Sequence, residues 1–295
     1  MTYDAIIVGG SYAGLSAGLP LARARRRVLV IDEGIRRNRF AEHSHGFLTQ
    51  DGEKPGAIAG KARAQLMAYP TVDWIDGRAD KARKEGEGFI VSVEGKDMAG
   101  KALVLATGVK DHLPKIPGLQ ERWGRSVFHC PYCHGYELNQ GAVGVIAVSP
   151  ASLHHGLMLP DWGPTTLLLN GAFQPDGEAR GELSRRGTRI EESPIHSIGG
   201  HADVHLQDGR TLSFAGLFTM PRTEIGSPIA EELGCALEDG PMGPFIRTDE
   251  TKQTSIAGVF ACGDAARAAG SVALAVGDGA MAGTAAHRFL MFGAF

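Results

Sequence analysis

The order of residues 3–32 constrains the fold of this 295-residue chain more than any other feature. Residues 3–8, YDAIIV, read as a short buried strand, and Gly9-Gly10-Ser11-Tyr12-Ala13-Gly14 follows. LSAGLPLARA then reads as a helix, and RRVLVID as a second apolar strand ending in Asp32. Strand, glycine turn, helix, strand and terminal acid is the order of a dinucleotide-binding βαβ unit. Gly9 permits the tight turn and Gly14 lets helix and strand pack closely. The helix N-terminus offers a pyrophosphate free N–H groups and a positive dipole end. Asp32 is placed to accept hydrogen bonds from a ribose. Two positions depart from the pattern. Ser11 stands where the middle glycine belongs, which narrows the room for a pyrophosphate without closing it, and Pro20 inside the helix should kink it or cost a hydrogen bond. Arg23, Arg25, Arg26 and Arg27 suit the solvated C-terminus of that helix better than a nucleic-acid surface.

The bulk numbers exclude several classes. With 43% hydrophobic and 21% charged residues the chain is an ordinary globular one, and a net charge of -3 gives no general pull toward nucleic acid or acidic membranes. No apolar run reaches the roughly 18 residues of a membrane helix. The N-terminus MTYDAIIVGG lacks a basic n-region and carries Asp4, so it does not read as a signal peptide, and the cytoplasm is the expected compartment. Four cysteines are too few for a disulfide scaffold.

Two of those cysteines stand in HCPYCHGYE, residues 129–137. A CxxC followed by histidine reads as a redox disulfide, half a zinc site or a haem anchor. Haem attachment needs export, and zinc wants four ligands, whereas Cys235 and Cys262 are single, far apart and placed like small core residues. Pro131 suits the first position of a helix, whose N-terminus stabilises a thiolate.

Three further stretches complete the pattern. GVFACGD places Asp264 at the carboxyl end of a short strand, where open α/β sheets bind ligands. SVALAVGDGAMAGTAAHRFL reads as a small-residue helix over residues 271–290, and Thr107 and Gly108 close the strand ALVLA. Together the glycine turn, the ATG, the central CxxC and the CGD resemble the low-molecular-weight thioredoxin reductase family of FAD-dependent disulfide oxidoreductases, over essentially the whole chain. The resemblance implies an α/β fold of two Rossmann-like domains, the second inserted in the first: residues 1–109 and 245–295 for FAD, and 110–244 carrying the CxxC. It implies FAD held by Gly9, Gly10, Ser11, Tyr12, Ala13, Gly14, Asp32, Asn38, Thr107, Gly108, Gly263, Asp264, Ser271, Val272 and Ala273, with the loop of residues 43–52 running past the flavin. It also implies a homodimer. Cys133 becomes the flavin-side cysteine and Cys130 the interchange cysteine. His134 stands where thioredoxin reductases have an aspartate, and a histidine of near-neutral pKa serves as acid or base; His129 flanks the other side as a second candidate.

The second domain departs from the family. Residues 144–149 and 165–169 read as its strands and PASLHHGLML as its helix, but Ala147-Val148-Ser149-Pro150-Ala151-Ser152 stands where glycines should cradle NADPH. Asn170-Gly171-Ala172 stands where a basic cluster should hold the 2′-phosphate. The chain therefore resembles the NADPH-independent branch of gliotoxin- and holomycin-type dithiol oxidases, which implies a small-molecule dithiol or thioredoxin-like substrate and O2 as acceptor. The alternatives are a thioredoxin reductase fed by ferredoxin or weakly bound NAD(P)H, and a non-catalytic flavin-binding sensor. His154 and His155 read as helix-surface or core histidines, and HADVH leads into a hairpin with an Asp-Gly turn rather than a metal site; no metal is expected. Glycine and proline in HLPKIPG and DGPMGP mark the expected crossovers near residues 110 and 244.

Overall fold

Short apolar runs separated by glycine turns fold here as parallel strands with helices against them. The computed structural model describes residues 2–293. The chain opens with β1 (Thr2–Val8), α1 (Tyr12–Arg23) and β2 (Val28–Asp32), and continues through α2 (Pro55–Met67), β3 (Val72–Asp76), β4 (Ala79–Glu85), β5 (Gly88–Val93), β6 (Lys96–Leu105) and β7 (Val109–His112). Pro20 sits in the last turn of α1, which runs on to Arg23, and the Ala24 N–H still reaches the Pro20 carbonyl at 3.0 Å. A proline there lacks its own donor without breaking the helix.

The middle of the chain gives β8 (Val127–Phe128), α3 (Pro131–His134), β9 (Val143–Ile146), α4 (Leu153–Met158), β10 (Thr165–Leu168), α5 (Gly177–Arg185) and β11 (Arg189–Glu191). β12 (Ile195–Gly199), β13 (Asp203–Leu206), β14 (Thr211–Ser213) and β15 (Gly216–Thr219) follow. β11-β10-β9-β15-β8 form a five-stranded sheet, parallel throughout, and β12-β13-β14 an antiparallel one. The Asp-Gly turn joins β13 to β14. Cores on the sheet faces bury Val143, Val145, Leu167 and Phe218 in one cluster and Ile146, Leu168 and Leu217 in another.

The chain ends with β16 (Arg222–Ile225), α6 (Ile229–Glu232), β17 (Leu237–Asp239), β18 (Pro244–Ile246), β19 (Val259–Ala261) and α7 (Val272–Phe292). β19 joins β6 in the first sheet, ordered β3-β2-β1-β6-β5-β4. β1, β2, β3, β6 and β19 pair in parallel. α7 lies against α1 so closely that a Cβ at Gly279 would strike the Ala13 carbonyl and one at Gly283 the Ala17 carbonyl, and the Ser16 hydroxyl donates to the Val276 carbonyl at 2.6 Å. No helix among the described residues is long and apolar enough to cross a membrane.

Two compact units result. Unit 1 holds the residues up to Arg39, Phe47–Lys110 and those from Thr223 on; unit 2 holds Phe40–Gly46 and Asp111–Arg222. The return to unit 1 thus falls at Thr223, not near the expected residue 244. The reason is packing. Ile229, Ala230 and Cys235 are buried in the same core as Ile6, Leu29, Ile31 and Leu103, where each large aliphatic side chain contributes about 1.5–3 kcal/mol. DGPMGP is instead the turn of the β17–β18 hairpin, in which Asp239 faces Pro244.

Candidate functional site

The turn after β1 is built around atoms that leave no room for side chains. A Cβ at Gly9, where φ is +102°, would strike the Ala106 carbonyl; one at Gly14 would strike the Gly9 carbonyl; one at Gly10 would strike the Trp74 indole and the Asp32 side chain. Asp32 Oδ1 accepts the Gly10 N–H at 2.9 Å. Ser11 is the N-cap of α1 but makes no side-chain cap bond, so the first-turn N–H groups keep no side-chain acceptor. Gly108, with φ of +62°, borders open space, and the Thr107 hydroxyl and the Arg36 Nε are buried without hydrogen-bond partners. Uncommitted helix donors, a close-packed backbone turn and orphaned polar atoms fit a dinucleotide cofactor.

The rest of the expected cofactor set lies around this turn. Gly263, φ +68°, sits against Ala13. Asp264 Oδ2 pairs with Arg37 Nη1 at 2.7 Å, with both side chains about three-quarters buried. Asn38 Nδ2 donates to the Tyr12 hydroxyl at 3.1 Å, and that hydroxyl donates to the Pro55 carbonyl at 3.1 Å. Burial raises the Tyr12 pKa. Ser271 caps α7, its Oγ accepting the Leu274 N–H at 3.2 Å; Val272 is half-buried and Ala273 exposed. Arg36 and Arg37 escaped the sequence reading, because an arginine pair beside a turn carries no periodicity that sets it apart from solvated charge.

In unit 2, Cys130 and Cys133 form a disulfide with Cα atoms 5.3 Å apart. Cys130 is the N-cap of the one-turn α3, Pro131 takes its first position, and the Cys133 N–H donates to the Cys130 carbonyl at 3.2 Å. Gly135 is required next, because a Cβ there would strike the Trp162 indole, which also meets the exposed Tyr132 edge-on at 5.3 Å. The His134 ring stacks on Phe128 at 4.4 Å. Burial holds its pKa down at about 4; Glu137 pulls it up, and His45 pushes it down. His45 in turn meets Glu137 at 3.4 Å. His134 is therefore neutral near pH 7, a proton acceptor at rest rather than the near-neutral acid or base expected from its type. The loop expected over residues 43–52 divides, since its part up to Gly46 belongs to unit 2.

The turn after β9 is closed from within. Ser152, 1% exposed, folds its hydroxyl back to accept the Val148 N–H at 3.0 Å, and Pro150 opens a 3-10 turn rather than α-helix. Asn170, with φ of +48°, accepts the Ile195 N–H at 2.8 Å through its side chain. The two remaining cysteines are free and buried; burial raises the Cys235 pKa and pushes Cys262 up to about 12, so neither is a ready thiolate. In HADVH, His201 faces the Ala215 carbonyl and His205 the Thr211 hydroxyl.

The pyridine nucleotide-disulphide oxidoreductase family profile matches residues 3–157. Thioredoxin reductase sirT of Leptosphaeria maculans is 33% identical over 96% of this chain and 92% of that protein. Among solved structures, an oxidoreductase from Agrobacterium tumefaciens is similar with a TM-score of 0.97 at 58% identity, covering 99% of both chains. HlmI is similar with a TM-score of 0.91 at 34% identity, covering 98% of this chain and 93% of that one.

Proposed function

This chain belongs to the pyridine nucleotide-disulphide oxidoreductase family as an FAD-dependent, thioredoxin reductase-like enzyme, and within that family we propose that it oxidises a small-molecule dithiol to a disulfide with O2 as acceptor and without NADPH. The closed turn after β9 carries this reading. With the Val148 N–H bonded to Ser152 and the Asn170 side chain bonded to Ile195, the turns after β9 and β10 keep these polar groups occupied within the protein rather than open to a pyridine nucleotide.

The assigned roles follow from chemistry. Gly9 through Gly14 and Thr107 would hold the cofactor's diphosphate end by backbone and hydroxyl groups, Asp32 its ribose, and Asp264 with Arg37 its sugar-alcohol chain. Asn38 supports Tyr12. Gly108, Gly263 and the Ser271–Ala273 start of α7 supply close backbone approach. FAD, when bound, would supply a two-electron acceptor, with O2 as the final oxidant and hydrogen peroxide as its reduced product. A substrate thiol loses its proton as its sulfur attacks the Cys130 sulfur, breaking the bond to Cys133, which leaves as a thiolate. The second substrate thiol attacks the substrate sulfur of the mixed disulfide and releases Cys130. His134, neutral and stacked on Phe128, takes up a proton beside Cys133.

That the relative sirT is a thioredoxin reductase by name favours a second reading, reduction of a thioredoxin-like protein with ferredoxin or weakly bound NAD(P)H as donor. An oxygen electrode separates the two. With dithiothreitol as substrate, O2 uptake and stoichiometric peroxide without any pyridine nucleotide support the oxidase. Uptake that begins only when NADPH is added contradicts it.

A further inference from the structure

Two histidines bracket the disulfide, and a buried third joins them to one cluster of rings. His129 precedes Cys130 and His134 follows Cys133. The His155 ring, 4% exposed on α4, meets the His129 ring edge-on at 5.7 Å, the His154 ring at 6.1 Å and the Phe218 ring at 6.4 Å. Phe218 touches Phe128 at 5.8 Å, and Phe128 carries His134. The His155 Nδ1 is buried without a hydrogen-bond partner. A buried, unpaired imidazole nitrogen costs stability, and a core position needing only an aromatic shape is served by phenylalanine.

We propose that His129, held in place by His155, is a second proton acceptor at this site, serving Cys130 as His134 serves Cys133. The proposal rests on the reading of Cys130–Cys133 as a redox disulfide. Oxidation of a dithiol breaks two S–H bonds and the Cys130–Cys133 bond, forms the substrate disulfide and releases two protons. One acceptor cannot hold both at once. His134 takes the proton of the first substrate thiol as its sulfur displaces Cys133 from Cys130, and His129 takes the one shed when the second thiol resolves the mixed disulfide at Cys130. His155 is a positioning residue: it fixes the His129 ring and brings no charge of its own. Its surroundings agree. The titratable groups acting on it are His129 and His154, while β15 presents Phe218 and the neighbouring β10 and α5 present Leu167 and Leu183 beside Gly156. Burial, with those two histidines, holds the His155 pKa down at about 3, so the ring stays neutral.

The test is alkylation of Cys130 by iodoacetamide against pH in the FAD-loaded C133S protein, read at the Cys130 peptide by mass spectrometry. It needs no turnover, so it stands or falls apart from the electron acceptor. C133S is expected to show a Cys130 thiol well below the ~8.5 of a free cysteine. Adding H129Q or H155F raises it by about one unit, a tenfold loss of alkylation rate near pH 6. Adding H155Q, which keeps a polar group in the pocket, restores most of the rate and covers the case in which H155F unfolds. Superimposable profiles for C133S, H129Q and both His155 variants overturn the proposal. So does an H134Q shift as large as that of H129Q.

Discussion

The turns after β1 and β9 each follow a strand paired in parallel on both sides in its α/β sheet, and they use their backbone donors in opposite ways. After β1, Ser11 caps α1 without a side-chain bond, and three glycines bring bare backbone together. After β9, one hydroxyl of the same residue type, at Ser152, turns back and takes the Val148 N–H. A nucleotide site is thus a set of donors kept unpaired, at a standing cost, until a ligand arrives. A single inward hydroxyl can close such a site while the strands and helix around it persist. Three glycines cannot drift in the same way at the first turn, because every Cβ there would meet backbone or the Trp74 ring.

The contrast can be broken at its strong end first. G14A places a methyl against the Gly9 carbonyl; the purified protein is expected to lose its yellow colour, and retention of stoichiometric flavin would contradict the cradle. C133S is expected to abolish reduction of the flavin by dithiothreitol while leaving the bound flavin's spectrum in place. H134F keeps the ring stacked on Phe128 and removes the proton acceptor, so reduction should slow by about 10²-fold in stopped-flow measurements.

A smaller effect follows from buried histidine. The folded pKa of His134 is about 4 and that of His155 about 3, below the free value of 6.5. The unfolded chain therefore binds protons first as pH falls, and stability is lost from about pH 6.5 down toward pH 4, by about 1.4 kcal/mol per pH unit for each histidine. Urea titrations of H134F and H155F should show a shallower fall over that window. The smallest effects compare the turns directly. S152A removes a buried hydrogen bond and should cost about 1 kcal/mol, whereas S11A should cost less than about 0.5 kcal/mol. Equal costs would erase the distinction.

Much of unit 1 was legible in the sequence because its signals are local. The glycine turn, Asp32 and the short strand before Asp264 each lie within a few residues of the feature that gives them meaning. The CxxC with Pro131 was legible for the same reason. The return to unit 1 at Thr223 was not, because α6 belongs there by sharing a buried core with β1 and β2 residues that no local pattern marks, while the Pro and Gly of DGPMGP served a hairpin. Missing glycines marked the second turn as degraded, but the back-bond from Val148 to Ser152 needed coordinates. The burial that lowers the His134 pKa and the His129–His155 contact likewise rest on packing between residues far apart in the sequence.

The central claim is that the second turn no longer admits a pyridine nucleotide while the first still holds its cofactor. Anaerobic titration of the yellow protein, followed by the flavin's visible absorbance, tests it most directly. The account predicts no bleaching by NADPH or NADH, full bleaching by dithiothreitol, and return of colour with peroxide when air is admitted. Rapid bleaching by NADPH would contradict it.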